Sequence, residues 1–592
     1  MAALVGLWLA LLVAPRPTLS YTVVIVAGDS AGVRVVLETP PTQGPLRLAM
    51  ARHPEYDDRF WRQVRDLRVE VAGRAVPLER EDSARWRAAT LGRPATVRYR
   101  LELPARDLGS RRSWRPFLGA TGGLVGATQT FLYVMGDTTA PARVTLALPA
   151  GWRVATGLEP TADPQVFTAA DVRTLLDSPI LVGELREWRF AVAGTPHRVC
   201  YWPLPGAVPF DTAAFVAGLE RIAQATIAIF GRPPYRAYTF LLQDGATDAL
   251  EHRNSVTLGA PSAVLARDPN AVADQLAHEF FHTWNLVRIR PRGWGAITSE
   301  PPARTASLWW GEGVTLYYAD LLLRRAGLED TAAARAKLAE RIGALLRNPG
   351  NARISPERAS WTTRDPPTAN GGYVASYYSQ GMVLGQLLDF AIRDSTGGRR
   401  GLDDVMRALF ARSAAGPGYR ERDLEATSNA VCGCDLEGFF RDHVRAARAL
   451  DFDRFLKGVG LRAVITQPSA VDSLGQPLAD LRVFAFMPED GDRLELAIGN
   501  PESAWGRSGL RTGDALVALD GRPVETADAF RAVLARARVN DTVTVRYRRD
   551  GQPGEARVGL SGYTTVRVTL EDLPQRTEAE RAAYGRWAAG EW

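Results

Sequence analysis

His278 and His282 stand four residues apart in the run His278-Glu279-Phe280-Phe281-His282, with Glu279 directly after the first. Glu312 follows thirty residues past the second histidine, inside Trp309-Trp310-Gly311-Glu312-Gly313. No other feature limits the fold as strongly. On a helix of 3.6 residues per turn, side chains at i and i+4 point the same way, so the two imidazoles share one target if the run is helical. The chain holds only six histidines in 592 residues, which makes a chance pairing around a glutamate improbable. Two imidazoles placed this way grip one zinc ion. The glutamate between them then stands beside the open coordination position, where a general base is needed.

The flanking residues predict that helix over 270–287. Asp268 suits an N-cap and Pro269 a first helical position. Val272, Leu276 and Phe280 recur with Ala273, Ala277, Phe281 and Trp284, leaving a stripe through Asp274, His278 and His282. A second helical run, Ser307 to Arg324, carries Glu312. His278, His282 and Glu312 are therefore the expected ligands of one Zn²⁺ per chain, with a fourth position for water: the gluzincin arrangement. Two buried, hydrogen-bonded core histidines would be the plain alternative for an isolated residue. It does not account for the pair together with Glu279 and Glu312.

Composition sets wide bounds. Apolar residues make up 46% and charged residues 23%, as in ordinary globular proteins, and the length implies two to four domains. The net charge of +6 is spread along the chain and is nearly all arginine; Lys337 and Lys457 are the only lysines. No basic tract interleaved with aromatics appears, so no nucleic-acid partner is expected. Residues 2–15 form an apolar run followed by Thr18 and Ser20, which reads as a signal peptide over 1–20. Export to the periplasm or the medium is the expectation, with no membrane-spanning stretch after it. The odd cysteine count excludes complete intramolecular pairing among Cys200, Cys432 and Cys434, and leaves a bridge from Cys200 to one of the other two open.

Along the chain, residues 21–195 alternate in the manner of strands (Val23–Ala27, Val33–Glu38, Ala95–Leu103, Gln129–Val134, Arg143–Leu148) and predict a β-sandwich-like domain. Residues 196–455 turn helical, with amphipathic runs at 211–230, 270–287, 307–326, 330–347, 377–393 and 435–448. One strand, Tyr238–Gln243, precedes the histidine run and suits the edge of an active-site sheet. Residues 465–568 return to short strands with one helix over Thr526–Ala537, and 571–592 read as a loosely ordered polar tail. The fold class is α+β and multidomain.

The third region resembles a PDZ domain, through Asn500-Pro501-Glu502-Ser503-Ala504-Trp505 and the run Gly509 to Val524 with its Asp520-Gly521 turn. Glu489, Asp490 and Asp492 before strand Leu494–Ile498 would repel a ligand carboxylate, so docking on a protein surface is expected there in place of C-terminus capture. The whole chain resembles the glycyl-aminopeptidase family of gluzincin metallopeptidases. Its specific pieces are HEFFHTWN (His278–Asn285), WWGEGVTLYY (Trp309–Tyr318), ALEHRNS (Ala249–Ser255) and YSQG (Tyr378–Gly381). The resemblance implies a thermolysin-like catalytic domain and aminopeptidase activity on peptides with a free N-terminus, preferring small residues such as Gly or Ala.

It also implies roles. Tyr378 matches the oxyanion-stabilising tyrosine of a Tyr-x-Lys-Gly motif, although Gln380 replaces the lysine. Tyr377 is the neighbour most easily confused with it, and Tyr373 could add a supporting contact. Glu251 would bind the substrate's α-ammonium, although the usual Gly-x-Met-Glu-Asn motif is missing; a surface salt bridge with Arg253 is its plain alternative. Glu279 would be the general base. Gly28-Asp29-Ser30-Ala31-Gly32 has the form of a serine-hydrolase elbow, but a strand and not a helix follows it, so it reads as a hairpin turn. Three rivals stay open: a metallo-endopeptidase on the same zinc core, an epoxide hydrolase on that scaffold, and a non-catalytic peptide-binding scaffold protein.

Overall fold

The computed structural model describes residues 18–27, 32–52, 59–103, 111–294, 303–413, 416–488 and 493–591. The apolar run 2–15, most of the Gly28–Gly32 turn and the acidic residues 489–492 lie outside them. The chain divides into two compact units.

The first unit comprises residues 1–217, 233–272 and 295–303. Strands Leu19–Val26 and Gly32–Thr39 bury every second side chain, the period-two signature of a sheet with one packed face. They pair antiparallel in an eight-stranded sheet whose core includes Tyr21, Val23, Val35, Leu37, Val97 and Val144. Two four-stranded sheets accompany it. The expected strand Gln129–Val134 is divided: Ala127–Thr130 forms a helical turn, and only Leu132–Val134 is extended. Thr130 Oγ1 accepts from the Gly126 amide at 2.8 Å and closes that turn.

A five-stranded sheet follows, in the order Arg186–Val192, Thr195–Trp202, Tyr238–Gln243, Ser255–Gly259, Ala249–Glu251. The domain boundary expected at 195 falls inside its first hairpin. Tyr238–Gln243 is central and not an edge, flanked on both sides by parallel neighbours. All six of its residues are buried, as for a strand covered on both faces. The edge strands are Arg186–Val192 and Ala249–Glu251.

The second unit is helical and ends in a β-rich module. Its helices include Ala273–His282, Thr315–Arg325, Thr331–Arg347, Tyr377–Thr396, Leu402–Ser413 and Glu421–Cys432. The histidine helix is shorter than its apolar period predicts. Asp268 does not cap it; its carboxylate accepts from the Asn270 amide at 2.8 Å in a preceding turn. The expected helix 435–448 amounts to Glu437–Phe439 and one wide turn, Phe440–Val444. In the module, strands Phe484–Phe486, Glu495–Ala497, Ala515–Leu519, Thr542–Arg549 and Gln552–Gly559 close over Leu496, Trp505, Leu516, Val545 and Val558, with helix Ala527–Leu534 alongside. Leu461–Thr466 and Arg567–Asp572 form a separate ribbon.

The C-terminal segment is ordered, contrary to its polar composition. A capping box between Thr577 and Glu580 starts helix Glu578–Ala589. Trp587 is fully buried, donating from Nε1 to Gln386 Oε1 at 3.2 Å with the Arg324 guanidinium over its ring. Trp587, with the buried Ala588 beside it, thus docks an otherwise charged helix. Cys432 and Cys434 form a disulfide, and Cys200 is a free, buried thiol whose pKa burial pushes up to about 11. Among the described residues one helix, Thr212–Phe230, is long and apolar enough to cross a membrane, contrary to the expectation that none would be. Its buried side chains, among them Leu219, Ile222, Ala223 and Ile227, follow the one-face pattern of a helix packed on protein.

Candidate metal centre

Helix Ala273–His282 places His278 and His282 one turn apart on one face, both buried. Their Nε2 atoms are 3.0 Å apart. Glu312 Oε2 lies 3.4 Å from His278 Nε2 and 3.3 Å from His282 Nε2. Two ligands bound to zinc at its usual bond lengths and a tetrahedral angle would be about 3.3 Å apart.

The protonation pattern fits a cation as well. A carbonyl oxygen only accepts, so His282 Nδ1, 3.1 Å from the Asn285 carbonyl, carries the proton and leaves the Nε2 lone pair facing the trio. His278 Nδ1 is buried without a hydrogen-bond partner among the described residues, so its tautomer is left to whatever engages Nε2. Burial pushes the Glu312 carboxyl up. Positive charge on the imidazoles, when they are protonated, outweighs that and holds it well below the usual carboxylate range. Three acceptors converging on one buried point need a cation at its centre, or protons shared among them.

Glu312 does not sit in a regular α-helix as the pattern predicts. Trp309–Val314 winds as a π-helical turn before Thr315–Arg325 continues as α-helix. The cause is side-chain competition for its carbonyls. Asn285 Nδ2 donates to Trp310 O and to Thr315 Oγ1, each at 2.9 Å, and Thr315 Oγ1 donates to Gly311 O at 2.7 Å.

Glycines bring the next element close. A Cβ on Gly313 would meet Gly381 Cα at 2.5 Å, and one on Gly381 would meet the Trp309 carbonyl at 1.9 Å. Helix Tyr377–Thr396 therefore packs its first turn directly on the turn carrying Glu312. Ser376 caps that helix by accepting from the Ser379 amide. Gln380, in the place of the motif's lysine, is buried and donates to Ile354 O at 2.7 Å, anchoring the helix start. The two neighbouring tyrosines part ways there. Tyr377 packs against Leu286, Trp294 and Leu308, whereas Tyr378 is 37% exposed and stacks on Tyr377 with ring centroids 4.7 Å apart.

Glu279 is buried on the histidine helix. Tyr373 is engaged elsewhere: Glu502 accepts its hydroxyl hydrogen bond, which raises the phenol's pKa, and the Arg353 guanidinium lies over its ring. Glu251 belongs to the first unit, half-buried at the end of the edge strand. The turn after it is fastened by Asp177, whose Oδ2 accepts from the Arg253 amide at 2.8 Å while Oδ1 lies 3.4 Å from His252 Nδ1. Sequence reasoning assigned no role to Asn285, Gly313 or Asp177. The Asn285 signal was present in His282-Thr283-Trp284-Asn285: a polar amide just past the helix end, among large aromatics.

Residues 271–384 match the M61 glycyl aminopeptidase family, residues 20–184 the peptidase M61 N-terminal domain, and residues 496–560 a PDZ domain. No curated protein matches the chain significantly. An aminopeptidase N family protein from Idiomarina loihiensis shares the fold with a TM-score of 0.78 and 22% identity, over 96% of this chain and 100% of that one. An M1 zinc metallopeptidase from Deinococcus radiodurans aligns more loosely, with a TM-score of 0.48 and 16% identity over 74% of this chain and 95% of its own. The class is thereby defined: a zinc metallopeptidase with a PDZ domain attached. Residues 20–184 and 271–384 thus carry the two domains of the M61 glycyl aminopeptidases.

Proposed function

We propose that the chain removes small N-terminal residues, Gly or Ala, from peptides, with one zinc ion held by His278, His282 and Glu312. The observation that carries this reading is the buried trio, whose ligand atoms have the mutual spacing of three corners of a zinc tetrahedron. When bound, zinc supplies Lewis acidity at a carbonyl and a water acidic enough to ionise near neutral pH. Glu279 takes the proton of the attacking water on its carboxylate and delivers it to the departing amine. The Tyr378 hydroxyl donates to the developing oxyanion; its partly exposed position supports that role over Tyr377, whose ring is occupied in packing.

Glu251 accepts from the substrate's α-ammonium. A blocked N-terminus would leave that carboxylate without its cation, which makes the enzyme an exopeptidase. The Asp177 contacts, which fix the turn after Glu251, support a fixed anchor. The apolar run 2–15 supports export to the periplasm or the medium.

The deciding assay compares glycine and alanine anilides with their N-acetylated forms. Cleavage of the free compounds alone is expected. Equal cleavage of the blocked forms would make the chain an endopeptidase.

A further inference from the structure

We infer that Asn285 is the positioning residue of the metal centre, binding one arm of it with its main chain and the other with its side chain. The inference rests on the zinc-ligand reading of His278, His282 and Glu312.

Asn285 is fully buried, three residues beyond His282. Its carbonyl accepts from His282 Nδ1 at 3.1 Å, which sets that imidazole's tautomer and ring plane. Its side-chain amide reaches the other way, to Trp310 O and Thr315 Oγ1 at 2.9 Å, on either side of Glu312 in the chain. These bonds, with that from Thr315 Oγ1 to Gly311 O, hold the carbonyls of the π-helical turn and so set where the Glu312 carboxylate comes out. A regular α-turn would rotate Glu312 relative to its neighbours, because the π form inserts an extra residue per turn.

A second observation points the same way. Leu286, the next residue, is held at φ +84° although its side chain is large and buried. Leucine avoids that region, and such backbone persists only where the surroundings over-determine it. Here the Leu286 amide donates to Ile289 O at 2.8 Å, and its side chain lies over Gly311, where a Cβ would sit 2.9 Å from Leu286 Cδ1. The chain turns sharply after His282 at a conformational cost. The result is an amide placed inside the Glu312 turn and a leucine lying against its glycine.

The test is zinc affinity, by chelator competition on the full chain, in the wild type, Asn285→Ala, Glu312→Gln and the double variant. Cobalt(II) absorption serves as a second readout of coordination geometry. Asn285→Ala should bind zinc about 10- to 100-fold more weakly and shift the cobalt bands. The double variant should bind no more weakly than Glu312→Gln alone, because Asn285 acts through that carboxylate. Wild-type affinity in a folded Asn285→Ala protein, or additive losses in the double variant, would overturn the inference. If Asn285→Ala does not fold, Thr315→Val tests the same turn: a changed cobalt spectrum supports the inference and an unchanged one with wild-type affinity overturns it. Zinc binding indifferent to Glu312→Gln would remove the ligand reading itself, and this inference with it.

Discussion

In the proposed mechanism Glu279 and Tyr378 carry separable parts of the chemistry, and two substitutions distinguish them. Glu279→Gln keeps the size of the side chain and leaves His278, His282 and Glu312 untouched, so zinc content should stay at the wild-type level. Turnover should fall by at least about three orders of magnitude, because an amide cannot take the water's proton. A zinc-loaded Glu279→Gln enzyme with near wild-type turnover would end the general-base role. Tyr378→Phe removes one hydroxyl from a partly exposed ring that stacks on Tyr377. The loss expected for one oxyanion donor is on the order of 10²-fold in kcat, with KM nearly unchanged. Tyr377→Phe preserves the packing on Leu286 and Trp294 and should leave turnover within a few-fold. A reversal of the two phenotypes would exchange the assignments. The motif match singled out Tyr378 in the sequence; the two tyrosines are adjacent in the first turn of one helix, and the apolar cluster that claims Tyr377 supports that choice.

At the level of elements, the centre depends on a helix packing on a turn with almost no space between them. Alanine normally stabilises a helix over glycine by up to about 1 kcal/mol. At Gly381 the sign should reverse. A Cβ there would meet the Trp309 carbonyl at 1.9 Å and Gly313 Cα at 2.9 Å. That backbone can yield only by moving the turn that bears Glu312. Gly381→Ala should therefore lose on the order of 1–3 kcal/mol of stability and weaken zinc binding together, read from thermal unfolding with and without zinc. A variant of unchanged stability would show that the close contact is relieved elsewhere. The same elements mark how far periodicity reaches. An i, i+4 histidine pair on a helix is dictated by the 3.6-residue repeat, and the structure brings the pair to Glu312. The π-turn had no sequence period of its own; it arises from the Asn285 amide, which is distant in sequence. Tyr238–Gln243 looked like an edge strand because a continuous apolar run does not say how many neighbours cover it. The C-terminal helix was hidden by its charge, since its buried side chains, Trp587 and Ala588, are confined to its last turn.

For the molecule as a whole, the PDZ module and the acid response of the first unit give the remaining predictions. PDZ residues rest on the segment leading to Tyr378: the Val374 amide donates to Gly499 O at 3.4 Å, Gly372 approaches Pro501, and Arg353 pairs with Glu502 at 3.1 Å. These contacts support docking within the chain, and titration with free C-terminal peptides should show no binding. Micromolar binding that requires the free carboxylate would refute that. In the first unit, His197 is buried between Phe190 and Tyr235. Nδ1 lies 3.0 Å from Thr195 O and must donate to it, so Nε2 accepts from the Tyr235 hydroxyl at 2.9 Å. Burial lowers the imidazole's pKa to about 4, with the Thr195 hydrogen bond opposing. The folded state thus prefers the neutral ring, while the unfolded chain takes up a proton below its ordinary value of 6.5. Stability from this site is complete above pH 6.5 and is lost as the pH falls from there toward 4, by an amount on the order of 3 kcal/mol. Urea unfolding of zinc-free protein isolates the effect from loss of the metal. His197→Phe should show a pH dependence smaller by that amount across this window. An unchanged pH dependence in the variant, or an imidazole in the folded protein titrating near 6.5, would rule the linkage out.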